Sequence, residues 1–153
     1  MLKFNMAEIL PVIVETVERG ESFKLPITGT SMNPLLKAGR DFALLTKAQL
    51  PLSVGDVPLY RRDDGDFVLH RIMEIDENGG YVMCGDNQFV FEYGITDKNI
   101  IAIASAFIID GKIIDVKADG DYIKYKNRCL KNVKTRHPVA QLKYRISRLK
   151  NGK

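Results

Sequence analysis

Short runs of apolar, often β-branched residues fill the middle of the chain, and turn dipeptides separate them. Asp64-Gly65 parts residues 57–62 from 67–74, Asn78-Gly79 parts that second run from 80–84, and Asp110-Gly111 parts 101–109 from 112–116. Asp-Gly and Asn-Gly suit the tight turns whose twist matches paired strands, so each dipeptide predicts a hairpin. The flanking runs VLHRIMEI, IAIASAFII and KIIDV have the β-branched character of half-buried strands. Two further short strands are expected at 23–27 and 42–47. Pro58 has no N–H to donate, which predicts a sheet edge or a bulge for its strand.

At both ends the pattern becomes helical. Ile9, Val12, Ile13 and Val17 fall on one helical face and Gly20 is a stop signal. Proline is tolerated near a helix start, so the regular part is expected to begin around Pro11. Past Pro138, residues Val139, Leu142, Ile146 and Leu149 make an apolar stripe opposite Lys143, Arg145, Arg148 and Lys150. The expected organisation is an N-terminal helical segment (1–21), a mainly β domain (22–116) and a basic helical tail (117–153).

Charge sharpens that division. The tail holds 12 Lys/Arg against 2 Asp/Glu, whereas residues 1–116 hold 11 against 17. A basic tail on an acidic body points to an anionic partner, and the amphipathic stretch 139–149 suits an anionic membrane surface. With 153 residues, 45% hydrophobic and 27% charged, the chain has enough apolar content for a core, which excludes disordered and disulfide-scaffold classes. The uncharged run 99–109 is too short to span a bilayer. The run 9–14, followed by Glu15 and Glu18, is too short for a secretion signal. A cytoplasmic protein, at most peripheral to a membrane, is expected.

Three segments offer chemistry. Gly29-Thr30-Ser31-Met32-Asn33-Pro34 follows a short strand, and such a bend exposes a hydroxyl and frees backbone N–H groups for an oxyanion. The same residues also make an ordinary turn. A serine needs a base to become a nucleophile at neutral pH. Of the two histidines, His137 lies in the basic tail, whereas His70 shares a strand face with Val68 and Ile72, opposite Leu69 and Arg71. A histidine there serves equally as a hydrogen-bonded core residue. Asp86, in Cys84-Gly85-Asp86-Asn87, could orient an imidazole or simply close a turn. Cys84, Cys129, His70 and His137 lack the spacing of a zinc site, so no metal or other cofactor is expected.

In order and spacing, Gly29 to Pro34, Gly55-Asp56-Val57, Leu69-His70-Arg71-Ile72 and Gly85-Asp86-Asn87 resemble the S24/S26 serine peptidase superfamily, which includes type I signal peptidases and LexA-type repressors. The resemblance covers residues 22–116 and implies the LexA/signal-peptidase β-ribbon fold. Histidine rather than lysine at position 70 is similar to the endoplasmic-reticulum, archaeal and sporulation-type signal peptidases. It implies Ser31 as nucleophile, His70 as base, Asp86 as the acid that orients His70, and an oxyanion hole from the backbone of Gly29, Thr30 and Ser31. That branch often carries a second acid about six positions after the Asp, and Glu92 stands there, one methylene longer. Gly39-Arg40-Asp41 replaces the family's usual Gly-Asp.

The expected function is therefore a serine endopeptidase that clips a leader, signal or propeptide segment bound as an extended strand. Activity is expected to rise with pH near the ordinary histidine value of about 6.5. The alternative is a non-catalytic or self-cleaving regulatory module of the same fold, its basic tail on nucleic acid or an anionic membrane. Only 30 residues precede Ser31, too few for a helix-turn-helix reader, so sequence-specific nucleic-acid binding is not expected.

Overall fold

A computed structural model describes residues 5–132 together with Leu142, Ile146 and Leu149. Helix α1 (Met6–Glu18) begins where the Asn5 side chain accepts the Ala7 N–H at 3.0 Å. That cap starts the helix ahead of Pro11, which lies inside it rather than at its first turn. A proline there forgoes one intrahelical hydrogen bond, and the cap together with burial of the opposite face sustains the helix around it. The buried face is also narrower than the apolar pattern, because Ile13 and Val17 are buried while Val12 is exposed.

Nine strands follow among the described residues, all paired antiparallel. They are β1 (Phe23–Pro26), β2 (Phe42–Thr46), β3 (Pro58–Arg61), β4 (Phe67–Leu69), β5 (Arg71–Ile75), β6 (Tyr81–Cys84), β7 (Glu92–Ile95), β8 (Ile100–Ile109) and β9 (Lys112–Asp115). A six-stranded sheet runs β1-β2-β8-β3-β4, with β9 also on β8, and a three-stranded sheet runs β5-β6-β7. The fold is mainly β, and the larger sheet curls. Helix α2 (Gly120–Lys131) follows β9, with Asp119 capping it by accepting the Tyr122 N–H at 2.8 Å.

One strand expectation changes. The run 67–74 is two strands, not one: β4 belongs to the large sheet and β5 to the small one, so the chain crosses between sheets at His70. The period-two alternation survives the crossing. Val68 and Ile72 pack with Tyr60, Tyr81 and Met83, and Leu69 packs on the main core. For Pro58, of the two alternatives expected, an edge or a bulge, the structure shows the irregular register and not the edge. Strand β3 lies inside the sheet between β8 and β4, not at its edge. Pro58 is its first residue, where the missing N–H is least disruptive, and the ladder shifts register between Leu59 and Tyr60. Strand β7 carries no turn dipeptide or β-branched run and was not anticipated; it completes the small sheet against β6.

Ile13 and Val17 of α1, Leu25, Leu45, Leu59 and Phe107 of the sheet, and Tyr122 of α2 share one core cluster. The expected tail helix over 139–149 and His137 lie outside the described residues, apart from Leu142, Ile146 and Leu149, which are helical and exposed. Among the described residues no helix is long and apolar enough to cross a membrane.

Candidate active site

Ser31 is partly buried on the loop that leaves β1. Its backbone is held by the turn after β6: its carbonyl accepts the Asn87 N–H at 2.8 Å, and the Thr30 carbonyl accepts from Asn87 Nδ2 at 3.2 Å. Gly85 is packed so closely that a Cβ there would lie 2.6 Å from the Ser31 carbonyl oxygen. No larger residue fits without displacing the serine. Among the described residues, the N–H groups of Gly29, Thr30 and Ser31 donate to no protein acceptor, which leaves them available to an oxyanion.

His70 is buried at the crossing between the two sheets. Its Nδ1 lies 3.3 Å from the Tyr60 hydroxyl. That hydroxyl donates to Glu92 Oε1 at 2.6 Å, and Glu92 Oε2 accepts from Arg62 Nε at 2.6 Å. Since the Tyr60 proton is committed to Glu92, its oxygen is left to accept, and Nδ1 must supply the hydrogen. Nε2 is then the unprotonated nitrogen, as a general base requires. Burial, then Glu92, raise the Tyr60 pKa, so this hydroxyl stays protonated. Burial and next the Arg62 charge push the His70 pKa down to about 4, against the opposing charges of Glu92 and Asp86. The imidazole is therefore neutral well below the pH of about 6.5 expected from an ordinary histidine.

Asp86 does not occupy the place expected of it. Its carboxylate, wholly buried, accepts from Arg71 Nε at 2.9 Å and Nη2 at 2.8 Å, and from the Tyr125 hydroxyl at 2.9 Å. Arg71 is itself fully buried, with Nη1 donating to the Gly55 carbonyl and the Tyr122 hydroxyl, both at 3.0 Å. Asp86 acts on His70 through charge, while Glu92 reaches it by way of Tyr60. The reason is geometric: Arg71 points away from His70, on the other side of the strand, and draws Asp86 with it.

A cavity of about 200 Å³ opens beside the serine. It is lined by Leu25, Pro26 and Ile27 from β1 and its exit, Phe67 to Leu69 of β4, Leu59, and Met6 of α1. Strands β1 and β4 are the two ends of the larger sheet's hydrogen-bonded order, so the curl brings to the walls of one cleft two edges that pair with no further strand among the described residues. Ser31 and the residue preceding His70 line that cleft together. Among the described residues no hydrogen bond joins the Ser31 hydroxyl to the imidazole; such bonds often tighten only when substrate is bound.

Tyr60, Arg62, Tyr122 and Tyr125 were not singled out from the sequence. A partial signal for Tyr60 was present, since the Asp64-Gly65 turn brings its strand back along 67–69; the loop is the three residues 63–65, which pairs Tyr60 with Val68 and sets it diagonal to His70. Nothing comparable in the sequence marks Tyr122 or Tyr125, whose contacts with Arg71 and Asp86 span 51 and 39 residues of chain.

No family model, no curated protein and no solved structure matches this chain.

Proposed function

We propose that the chain is a serine endopeptidase of the S24/S26 type that cuts a leader, signal or propeptide segment. The observation that carries this reading is the cleft itself. Ser31, with unengaged neighbouring N–H groups, lines a cleft between strands β1 and β4 together with Leu69, the chain neighbour of a buried, neutral histidine whose tautomer Tyr60 and Glu92 set. An extended peptide would add its backbone to the edges of those strands, as strands do when they augment a sheet. Ser31 Oγ attacks the scissile carbonyl, and His70 Nε2 takes the hydroxyl proton as the C–O bond forms. The N–H groups of 29–31 receive the oxyanion. The C–N bond then breaks as Nε2 returns the proton to the leaving amine, and water releases the acyl group by the same route. Glu92, through Tyr60, favours the imidazolium that forms in passing.

The test is digestion of a denatured peptide library followed by mass spectrometry. Wild type is expected to yield defined cuts that are absent with Ser31→Ala and with His70→Ala. The double variant should be no worse than either single one, because members of one catalytic unit do not act additively. A library left intact by wild type would sink the peptidase reading in favour of a non-catalytic module. Cuts that persist in Ser31→Ala would reassign the nucleophile.

A further inference from the structure

We propose that helix α2 is a clasp for the nucleophile: Tyr125, acting through Asp86, positions Ser31 for attack. This rests on the peptidase reading above and assigns a role to a helix that lies outside all four of the motifs that suggested it.

On its exit side the Ser31 loop is anchored by the buried Met32 and Leu36, with the Leu36 N–H on the Met32 carbonyl at 3.0 Å and the Asn33 N–H on the Thr30 carbonyl at 3.1 Å. The carbonyls of Thr30 and Ser31 themselves are held from across the chain by Asn87, with Gly85 packed close against the serine. The residue between those two is Asp86. Its position therefore sets where the 85–87 turn stands, and the turn sets where Ser31 stands. Asp86 is fixed from two directions: Arg71 grips both oxygens from β5, and Tyr125 closes on Oδ2 from α2. The same helix also reaches Arg71, through the Tyr122 hydroxyl, and both tyrosine rings lie 5.8 Å from the guanidinium carbon.

Helix α2 thus holds both halves of a buried ion pair. The Tyr125 hydroxyl adds a contact from α2 to a carboxylate that Arg71 holds from β5, and each added contact narrows the positions the side chain can take. Small misplacements matter here, since a displacement of about 1 Å at a reacting group costs up to about 100-fold in rate. Tyr125 touches neither substrate nor reacting atoms. It is a positioning residue.

The test uses the full chain with Tyr125→Phe, which keeps the ring over Arg71 and removes only the hydroxyl. Lys124→Ala, at an exposed position of the same helix, is the control. Amide hydrogen exchange read by mass spectrometry is expected to rise about 5-fold in segments 29–33 and 85–88 of Tyr125→Phe, the factor appropriate to one lost hydrogen bond, with the α1 and β8 segments unchanged. On the fastest-cut library peptide, kcat should fall about 10-fold with KM unchanged, the split expected when positioning and not binding is lost. Exchange at 29–33 equal to wild type, a rise spread evenly over the chain, or an unaltered kcat would each overturn the clasp. No cleavage by wild type would overturn the peptidase reading, and the exchange comparison would then decide the clasp by itself.

Discussion

Burial of a histidine that must stay neutral ties the stability of this protein to pH. The folded imidazole of His70 is held at about 4, against 6.5 for the same group in an unfolded chain, with burial the first cause and the Arg62 charge the second. Between those two values the unfolded chain binds the proton and the folded one does not. Stability therefore stands at its full level above about 6.5 and falls as the pH drops toward 4. The whole interval corresponds to about 3 kcal/mol, and about 2 kcal/mol is already lost at pH 5. The perturbation that isolates it is His70→Asn, which keeps an N–H for Tyr60 and does not titrate. Urea unfolding at pH 7 and pH 5 should show the loss in wild type and little of it in the variant. The two partners behind the imidazole give a sharper signature by NMR titration of the ring. Glu92→Gln should lower the His70 pKa further, and removal of the Arg62 charge with Arg62→Met should raise it, because the two charges act on His70 with opposite sign. A wild-type midpoint near 6.5, or shifts of the same sign in the two variants, would refute the buried-relay account. For the proposed reaction, the acid limb of kcat/KM belongs near 4 as well, below the range an ordinary histidine would give.

Asp86→Asn should destabilise by about 3–5 kcal/mol in urea unfolding, because it leaves the fully buried Arg71 without its counter-charge; Arg71→Met combined with Asp86→Leu should cost less than Asp86→Asn alone. A silent Asp86→Asn would mean the pair is not dehydrated as described. Asp41, at the exit of the serine loop, accepts from the Lys37 and Asp110 N–H groups and from Arg40, and that guanidinium, against burial, holds its carboxyl down at about 2. It supplies stability that is present above about 4 and lost as the pH falls through 2; acid unfolding of Asp41→Asn should lack about 2 kcal/mol of this dependence, and an identical acid limb would refute it.

Much of the strand order was legible because it is local. The Asp64-Gly65, Asn78-Gly79 and Asp110-Gly111 turns mark neighbouring strands by steric preference; 109 pairs with 112 across a two-residue turn, whereas 61 with 67 and 75 with 81 close three-residue loops that end on the glycine, a register the dipeptides alone do not fix. The candidate serine and histidine were likewise readable as residue types at particular places on a turn and a strand. What the sequence could not decide was which side of a strand becomes interior when both are covered. Arg71 shares with Leu69 the face opposite His70, and nothing in the pattern says that α2 folds over it and makes it one of the most deeply buried side chains among the described residues. That single event takes Asp86 away from the imidazole and leaves Glu92, with Tyr60 between, to orient it. The break at His70 is of the same kind: nothing local separates Leu69 from Arg71, and only the packing of one sheet against the other makes the crossing there. Turn chemistry acts over a few residues and is written in the sequence. The partners of buried charges are chosen by contacts between segments far apart in the chain, 51 residues for Arg71 with Tyr122 and 69 for Asp41 with Asp110, and only the tertiary structure chooses them.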